Sequence, residues 1–308
     1  MKITKYLPLI GVLILAYLIY KIGLTDIINA FKLDHPIYLI PAILIVLVVI
    51  FVQTYKWNMI LKVQGYNLPF PTIFKIQMIS VFYGFITPAR AGSIIRAKYL
   101  KELTGKSLVK SSSNTIIERI LDLAAIMGLA FLGVLFFMKF FTGWMYIVVI
   151  VIAGFGMFSL IFLKESIITK ILKKIYCHLL PKKYKKKAKH YFEEFYSEFP
   201  QRRKLILPFI VTIISWLLIY TIAFFVALSL NIDLPYHYFL LLFPITTLFS
   251  LLPISPSGLG VREVTLVAIL GTFGVPADKI IALSLLSMII GGMIPALIGF
   301  LISLKKKF

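Results

Sequence analysis

The sequence predicts an all-α polytopic membrane protein of six full spans and two Pro/Gly-broken re-entrant hairpins, arranged as an inverted repeat. Three observations carry this expectation. Hydrophobic residues make up 60% of the 308-residue chain and the mean hydropathy is +0.96, above the roughly half-apolar composition of a soluble domain. Charge is lopsided, with 33 Lys and Arg against 12 Asp and Glu and a net charge of +21. Two polar stretches broken by Pro and Gly interrupt apolar segments at matching places in the two halves of the chain.

The first apolar run, about residues 6–20, has no small-x-small cleavage site before Lys21 and reads as an uncleaved span. A second span follows at about 38–55, closed by Lys56 and Lys62. After a Gly-Tyr-Asn-Leu-Pro turn at 65–69, the apolar run 72–86 is short. Its rise of roughly 22 Å falls below the roughly 30 Å hydrocarbon core. Residues 72–100 are therefore expected to form a hairpin of two short helices broken at 87–92. There Pro88 disfavours helix at Thr87, and Gly92 allows a turn or a close backbone approach.

Ser and Asn at 111–114 offer N-cap residues for a long helix at about 115–137, whose first turns hold Glu118, Arg119 and Asp122. A connection with Lys139 and Gly143 leads to a span at about 144–163. Residues 164–204 form a Lys-rich connector suited to anionic lipid headgroups. Then come a span at about 205–230, an Asn-Ile-Asp-Leu-Pro turn at 231–235 and an apolar run at 238–252. The second broken stretch, 253–263, contains Pro253, Pro256, Gly258 and Gly260 and ends in Arg262 and Glu263. A short helix from 264 and a last span at about 279–303, closed by three lysines, complete the chain.

The positive-inside bias orients these elements. With the 164–204 connector in the cytoplasm, the basic 90–110 segment also lies inside. The Lys-free and Arg-free 231–237 loop lies outside, and both termini are cytoplasmic. The halves then read alike: span, span, hairpin, span over 1–140 and again over 141–308, the second copy inverted. Pro88 and Gly92 in one half match Pro256 and Gly260 in the other, both about twenty residues after a Leu-Pro turn. Paired broken segments of this kind are the layout of many transporters.

Charge within such a bundle needs a partner or a cavity. Glu118 and Asp122 share a helix face, with Arg119 beside them. We expect Glu118 to pair with a hairpin arginine and another guanidinium to stay free. A free guanidinium binds phosphate through two parallel hydrogen bonds, although the same charges also serve simply to hold hairpin and span together.

Several chemistries are set aside. Nucleic acid is a poor partner because the basic residues flank apolar spans. Cys177 is the only cysteine and the four histidines are scattered, so neither a disulfide, a metal site nor a cofactor is expected. The Thr-Gly-Lys-Ser run at 104–107 lacks the glycine that a phosphate-binding loop needs five residues before Gly105. Nothing positions a scissile bond, so no enzyme is expected.

The pattern Pro88-x-x-x-Gly92-x-x-x-Arg96, then Glu118-Arg119-Ile-Leu-Asp122, then Pro253-x-x-Pro256-x-Gly258-x-Gly260-x-x-Glu263 resembles the lysylphosphatidylglycerol synthase/flippase transmembrane family over nearly the whole chain. That resemblance implies an integral membrane protein, because better-known relatives move aminoacylated phospholipid between leaflets. It marks Arg96, Glu118, Arg119, Asp122 and Glu263 as the matching polar positions. Ser93 replaces a frequent Glu, and Ser287-Met288 stands where the family often has Arg, which unsettles the headgroup's charge preference. The chain ends at Phe308 without a synthase domain, as a standalone flippase-like member would.

The expectation is a cell-membrane lipid transporter working by alternating access, with Arg90, Arg96, Arg119 and Arg262 engaging a phosphate headgroup. Its partners would be membrane lipids: an anionic or aminoacylated phospholipid, or a polyprenyl-phosphate lipid. A homo-oligomer is compatible with the sequence. Two other readings stay open: a secondary transporter of a small anion, and a non-catalytic membrane subunit of a glycosyltransferase system.

Overall fold

The computed structural model describes residues 31–87, 90–140, 199–252 and 257–304, with isolated positions between 17 and 29. The expected span at 144–163, most of the 6–20 run, nearly all of the 164–204 connector, Pro88, Pro253, Pro256 and the terminal lysines lie outside these residues.

Apolar runs dictate the helices, and turn chemistry sets their ends. Helix α1 (Leu39–Val63) follows a 3₁₀ turn at Pro36–Tyr38. Helix α2 (Phe70–Ile86) starts with a proline in its first turn, where a missing N–H costs nothing. A 3₁₀ turn at Ala91–Ile94 leads into α3 (Ile95–Thr104), and α4 (Leu108–Phe137) follows. Later come α5 (Ile206–Ser229), α6 (Tyr236–Ser250) and α7 (Val261–Leu270). Helices α8 (Ala277–Met288) and α9 (Ile294–Leu304) are joined through a π turn at Ile289–Met293.

Among the described residues, four segments are long and apolar enough to cross a membrane: Pro36–Val63, Leu108–Phe140, Arg202–Ser229 and Ala277–Leu304. They coincide with four of the expected spans. Helices α2 and α6, of 17 and 15 residues, rise only about 26 and 22 Å.

Three boundaries differ from the sequence reading. Helix α1 runs two turns past Lys56, so that lysine lies inside a helix rather than closing a span. Helix α4 begins at Leu108, because Ser107 has extended backbone and its hydroxyl accepts the Lys110 N–H at 3.2 Å. Ser111, Ser113 and Asn114, expected as caps, are instead buried inside that helix. Helix α7 begins at Val261, placing Arg262 and Glu263 in its first turn.

The packing falls into matched pairs. Helix α1 lies antiparallel to α5: the His35 N–H bonds the Ser229 carbonyl at one end, and Ile60 clusters with Leu205 at the other. Helix α2 packs on α9, and α6 packs on α4. Each of these crossings closes at a glycine, since a Cβ on Gly299 would strike the Met78 carbonyl and one on Gly133 the Leu241 carbonyl. Both α1 and α5 end in the same cap. A left-handed residue, Gly65 or Asn231, is followed by a Tyr66 or Ile232 N–H bonded to Leu61 O or Ala227 O. A lysine then clasps each cap, Lys106 Nζ on Gln64 O at 3.3 Å and Lys279 Nζ on Leu230 O at 2.9 Å.

Helix α1 also separates its surroundings by face. Ile40, Leu44, Leu47 and Phe51 recur at three- and four-residue intervals on the exposed side, while Ala42, Val46, Val49 and Ile50 are buried. At the end beside Asn231, Phe137, Phe140, Tyr238 and Phe273 form an aromatic cluster, the residue type that favours a membrane–water interface.

Two outcomes follow from this packing. Gly133→Ala and Gly299→Ala each push a methyl into a backbone carbonyl, and each is expected to cost about 1–3 kcal/mol, read as a lowered melting temperature in detergent. In a Cys177→Ser background, Asn67→Cys and Asp233→Cys, both exposed, are expected to react with an impermeant maleimide from opposite membrane faces. Labelling of both from one face would exclude an inverted arrangement.

Candidate functional site

A cavity of about 130 Å³ lies where α1, α2, α4, α5 and the 90–96 segment meet. Its charged wall follows from helical spacing. Glu118 and Asp122, one turn apart on α4, face α1, where Lys56 Nζ lies 3.0 Å from Glu118 Oε1 and 2.8 Å from Asp122 Oδ1. On its other side Glu118 pairs through Oε2 with Arg96 Nη1. Arg96 also donates from Nε to Ser80 Oγ at 2.6 Å, and its guanidinium lies 4.9 Å from the Trp57 ring centre. Trp57 is fixed in turn by an Nε1–H bond to Asn114 Oδ1 at 3.1 Å. Lys56, Arg96 and Glu118 are 2%, 4% and 5% exposed. Charges so removed from water persist only when paired and hydrogen-bonded.

Asp122 accepts a second hydrogen bond, from Trp216 Nε1 on α5 at 3.3 Å. Arg119 stands 4.0 Å from Asp122 Oδ2 and donates to Ser93 Oγ at 2.8 Å. Ser93 thus provides a neutral acceptor for Arg119. Arg90 differs from all of these. It is exposed on the cavity, and among the described residues its side chain makes no hydrogen bond or ion pair. Its backbone is left-handed (φ 54), an uncommon state for a non-glycine residue. Four cations (Lys56, Arg90, Arg96, Arg119) and two carboxylates (Glu118, Asp122) line this cavity, leaving two positive charges uncompensated.

A second cavity, of about 160 Å³, shares Phe85, Arg90, Trp216 and the π-turn glycines Gly291 and Gly292 with the first. Arg262 lines it. Its Nη2 lies 2.9 Å from Glu263 Oε1, and its Nε donates to Ser284 Oγ at 2.7 Å. Glu263, fully buried, lines neither cavity. Its Oε2 accepts the Gly260 N–H at 2.6 Å, which caps α7, and its Oε1 accepts the Ser284 hydroxyl at 2.5 Å. A carboxylate grouped by sequence with the headgroup-binding set therefore supports Arg262 instead.

The hairpin glycines occupy tight turns. The Gly92 N–H bonds Thr87 Oγ1 at 2.7 Å, and a Cβ there would strike the Tyr83 carbonyl. Gly258 is pressed in the same way on Ser250 at the end of α6, whereas Gly260 serves as the N-cap of α7. The packing counterpart of Gly92 is Gly258, rather than the Gly260 matched by the Pro-x-x-x-Gly pattern. Beside this hairpin runs an apolar groove lined by Tyr83, Ile94, Ile95, Leu108 and Val109. Among the described residues, no three His, Cys, Asp or Glu gather as a metal site would require.

Sequence reasoning missed Lys56 and Trp216. For Lys56 a signal was present: the apolar pattern resumes beyond it at Trp57, Ile60 and Leu61, so the helix continues and the lysine faces inward. Trp216, on a uniformly apolar span, carries no such signal.

Comparison with known proteins bears on the whole chain. The family model described as the lysylphosphatidylglycerol synthase TM region matches residues 7–299. A UPF0104 membrane protein of Methanocaldococcus jannaschii is 25% identical, the match covering 99% of this chain and 96% of the relative. A UPF0104 membrane protein of Methanothermobacter thermautotrophicus is 24% identical over 97% of this chain and 92% of its own length.

Lys56→Met leaves Glu118 with one partner and strips Asp122 of its closest. We expect a loss of about 3–5 kcal/mol of stability, measured by denaturation in detergent. Adding Asp122→Asn is expected to recover part of it, giving a non-additive double-mutant cycle.

Proposed function

Because the chain belongs to the family of the lysylphosphatidylglycerol synthase TM region, we propose that it is a flippase-like lipid transporter. It would bind a phosphate-bearing headgroup at the first cavity and pass it between leaflets by alternating access. The observation that carries this reading is the pair of uncompensated positive charges around that cavity, with the Arg90 guanidinium free to receive an anion. A guanidinium offers a planar fork matched to phosphate oxygens, and removal from bulk water strengthens the contact. The cavity has room for a headgroup and not for acyl chains. The apolar groove beside α2 and α3 supports a lipid over a free anion, because it offers tails a path beside the hairpin.

Alternating access is supported by the matched packing of the two halves. Helices α1 to α4 correspond to α5 to α9, with the two caps, the two lysine clasps and the two glycine crossings exchanged. Short α2 and α6, each followed by a glycine-pinned turn, would be the membrane-entering arms of re-entrant hairpins. With the spans at 6–20 and 144–163 the chain would have six spans over repeats 1–140 and 141–308, both termini in the cytoplasm. On this reading the protein carries out no covalent chemistry.

The test is transport of an anionic phospholipid in reconstituted vesicles by wild type and by Arg90→Asn. Asparagine removes the guanidinium yet tolerates the left-handed backbone. Transport is expected to fall at least tenfold, with the melting temperature unchanged. Wild-type vesicles that move a small anion but no lipid would favour the anion carrier. Inert vesicles and a co-purifying glycosyltransferase would favour the subunit role.

A further inference from the structure

Where the first cavity gathers charge, the second gathers hydroxyls. Its wall carries Tyr220, Thr246, Thr247, Ser250, Ser257 and Ser287, beside an Arg262 already matched by Glu263. Among the described residues no carboxylate lines it: Glu118 and Asp122 face the first cavity, and Glu263 is buried beside Arg262. Most of the hydroxyl protons are committed to the protein. Thr246 and Thr247 donate to Phe243 O at 2.9 Å, and Ser250 to Thr246 O and Ser257 to Phe85 O at 2.7 Å. Their lone pairs remain available to accept a ligand's O–H. Ser287 Oγ is buried and has no partner among the described residues.

The contrast between the cavities has a counterpart in register. Arg96 bonds Glu118, 22 residues on, and Arg262 bonds Ser284, also 22 residues on. At the same register Asp122 falls on Met288. The second half therefore holds a serine and a methionine where the first half holds its two carboxylates.

Building on the lipid-transporter reading, we infer that the substrate is an anionic phosphodiester lipid whose terminal headgroup moiety is uncharged and hydroxyl-bearing. The phosphate sits by Arg90 at the wall common to both cavities, and the hydroxylated moiety occupies the second. An aminoacyl headgroup is disfavoured there. Its ammonium groups would meet Arg90 and Arg262, with no carboxylate among the described residues lining that cavity. Trp216 and Tyr220 offer a cation only a π contact, and their rings already pack against each other at 5.8 Å.

The test is competitive binding to the purified full-length protein in uncharged detergent. The probes share acyl chains: phosphatidylglycerol, lysyl-phosphatidylglycerol and diacylglycerol. Phosphatidylglycerol is expected to bind at least tenfold more tightly than the lysyl form. Ser287→Asp, which adds a carboxylate to the second cavity, is expected to narrow or invert that ratio. Ser257→Asp reads the same effect at a left-handed position (φ 51) that Asp tolerates, should Ser287→Asp not fold. Equal or tighter binding of the lysyl form to wild type overturns this inference and leaves phosphate binding intact. A tenfold ratio that neither variant alters overturns the assignment of selectivity to the second cavity. No preference for either phosphate lipid over diacylglycerol overturns both this inference and the transporter reading.

Discussion

The double pairing of Glu118 holds the described bundle together at its centre. One carboxylate joins Lys56 on α1 and Arg96 at the start of α3, while sitting on α4. Burying any one of these charges alone would cost several kcal/mol. Glu118 supplies the counter-charge to both cations, so three separately placed segments are tied at one point. Arg96 carries the constraint further, since its Nε bond to Ser80 draws α3 back onto α2. The fold-back of the first hairpin thus depends on the same ion pair that neutralises Glu118. With both carboxylates committed to other cations, Arg90 makes no ion pair among the described residues, and Arg119 keeps a distant Asp122 and a serine hydroxyl. The free positive charge is a consequence of how the helices are fastened.

Features that depend on local chemistry were legible in the sequence. Short apolar runs, Leu-Pro turns and Gly-pinned breaks mark α2, α6 and the turns after them, because length and backbone freedom act within a few residues. The pairing of Glu118 with a hairpin arginine was expected from the one-turn spacing of Glu118 and Asp122 and the need of a buried charge for a partner. Features set by tertiary packing were hidden. Lys56 reads as a span terminator until α1 is known to continue past it. Ser107 outcompetes the more conspicuous serines at 111–113 as cap only because the helix extends backwards to Leu108. Gly258 rather than Gly260 matches Gly92: each lies 23 residues after the proline of its Leu-Pro turn, a register that the Pro-x-x-x-Gly pattern hid by pointing two residues further on.

The proposed repeat separates scaffold from chemistry. Caps, lysine clasps and glycine crossings recur in both halves, and these are the elements that set backbone position. The cavity-facing carboxylates do not recur. The Arg96–Glu118 pair becomes an Arg262–Ser284 pair, and the missing carboxylate reappears beside its own arginine as Glu263. Moving the acid from the α8 position held by Ser284 to Glu263 on α7 keeps Arg262 paired yet withdraws the carboxylate from the cavity wall and places it under the N-terminus of α7. There it accepts the Gly260 N–H and meets the positive end of the helix dipole. Both halves therefore satisfy their buried arginines, but only the first leaves its counter-charges facing the cavity.

On the proposed reading, that difference would give the two cavities unequal roles despite a common frame. An anion drawn to Arg90 lies on the wall common to both, with surplus positive charge on one side and hydroxyls on the other. A symmetric frame suits exchange between two opposed states, because equivalent contacts broken on one face are made on the other. An asymmetric lining fixes which end of a headgroup points where, since a phosphate turned toward the hydroxyl side would forgo the uncompensated charge of the first cavity. The backbone at the shared wall is locally irregular. The π turn at Ile289–Met293 interrupts the last span beside Phe85, and such turns, which leave the regular helical ladder locally rearranged, recur at functional sites. A headgroup passing Arg90 would then need a change only where the backbone is least regular, while the Glu118 junction stays closed.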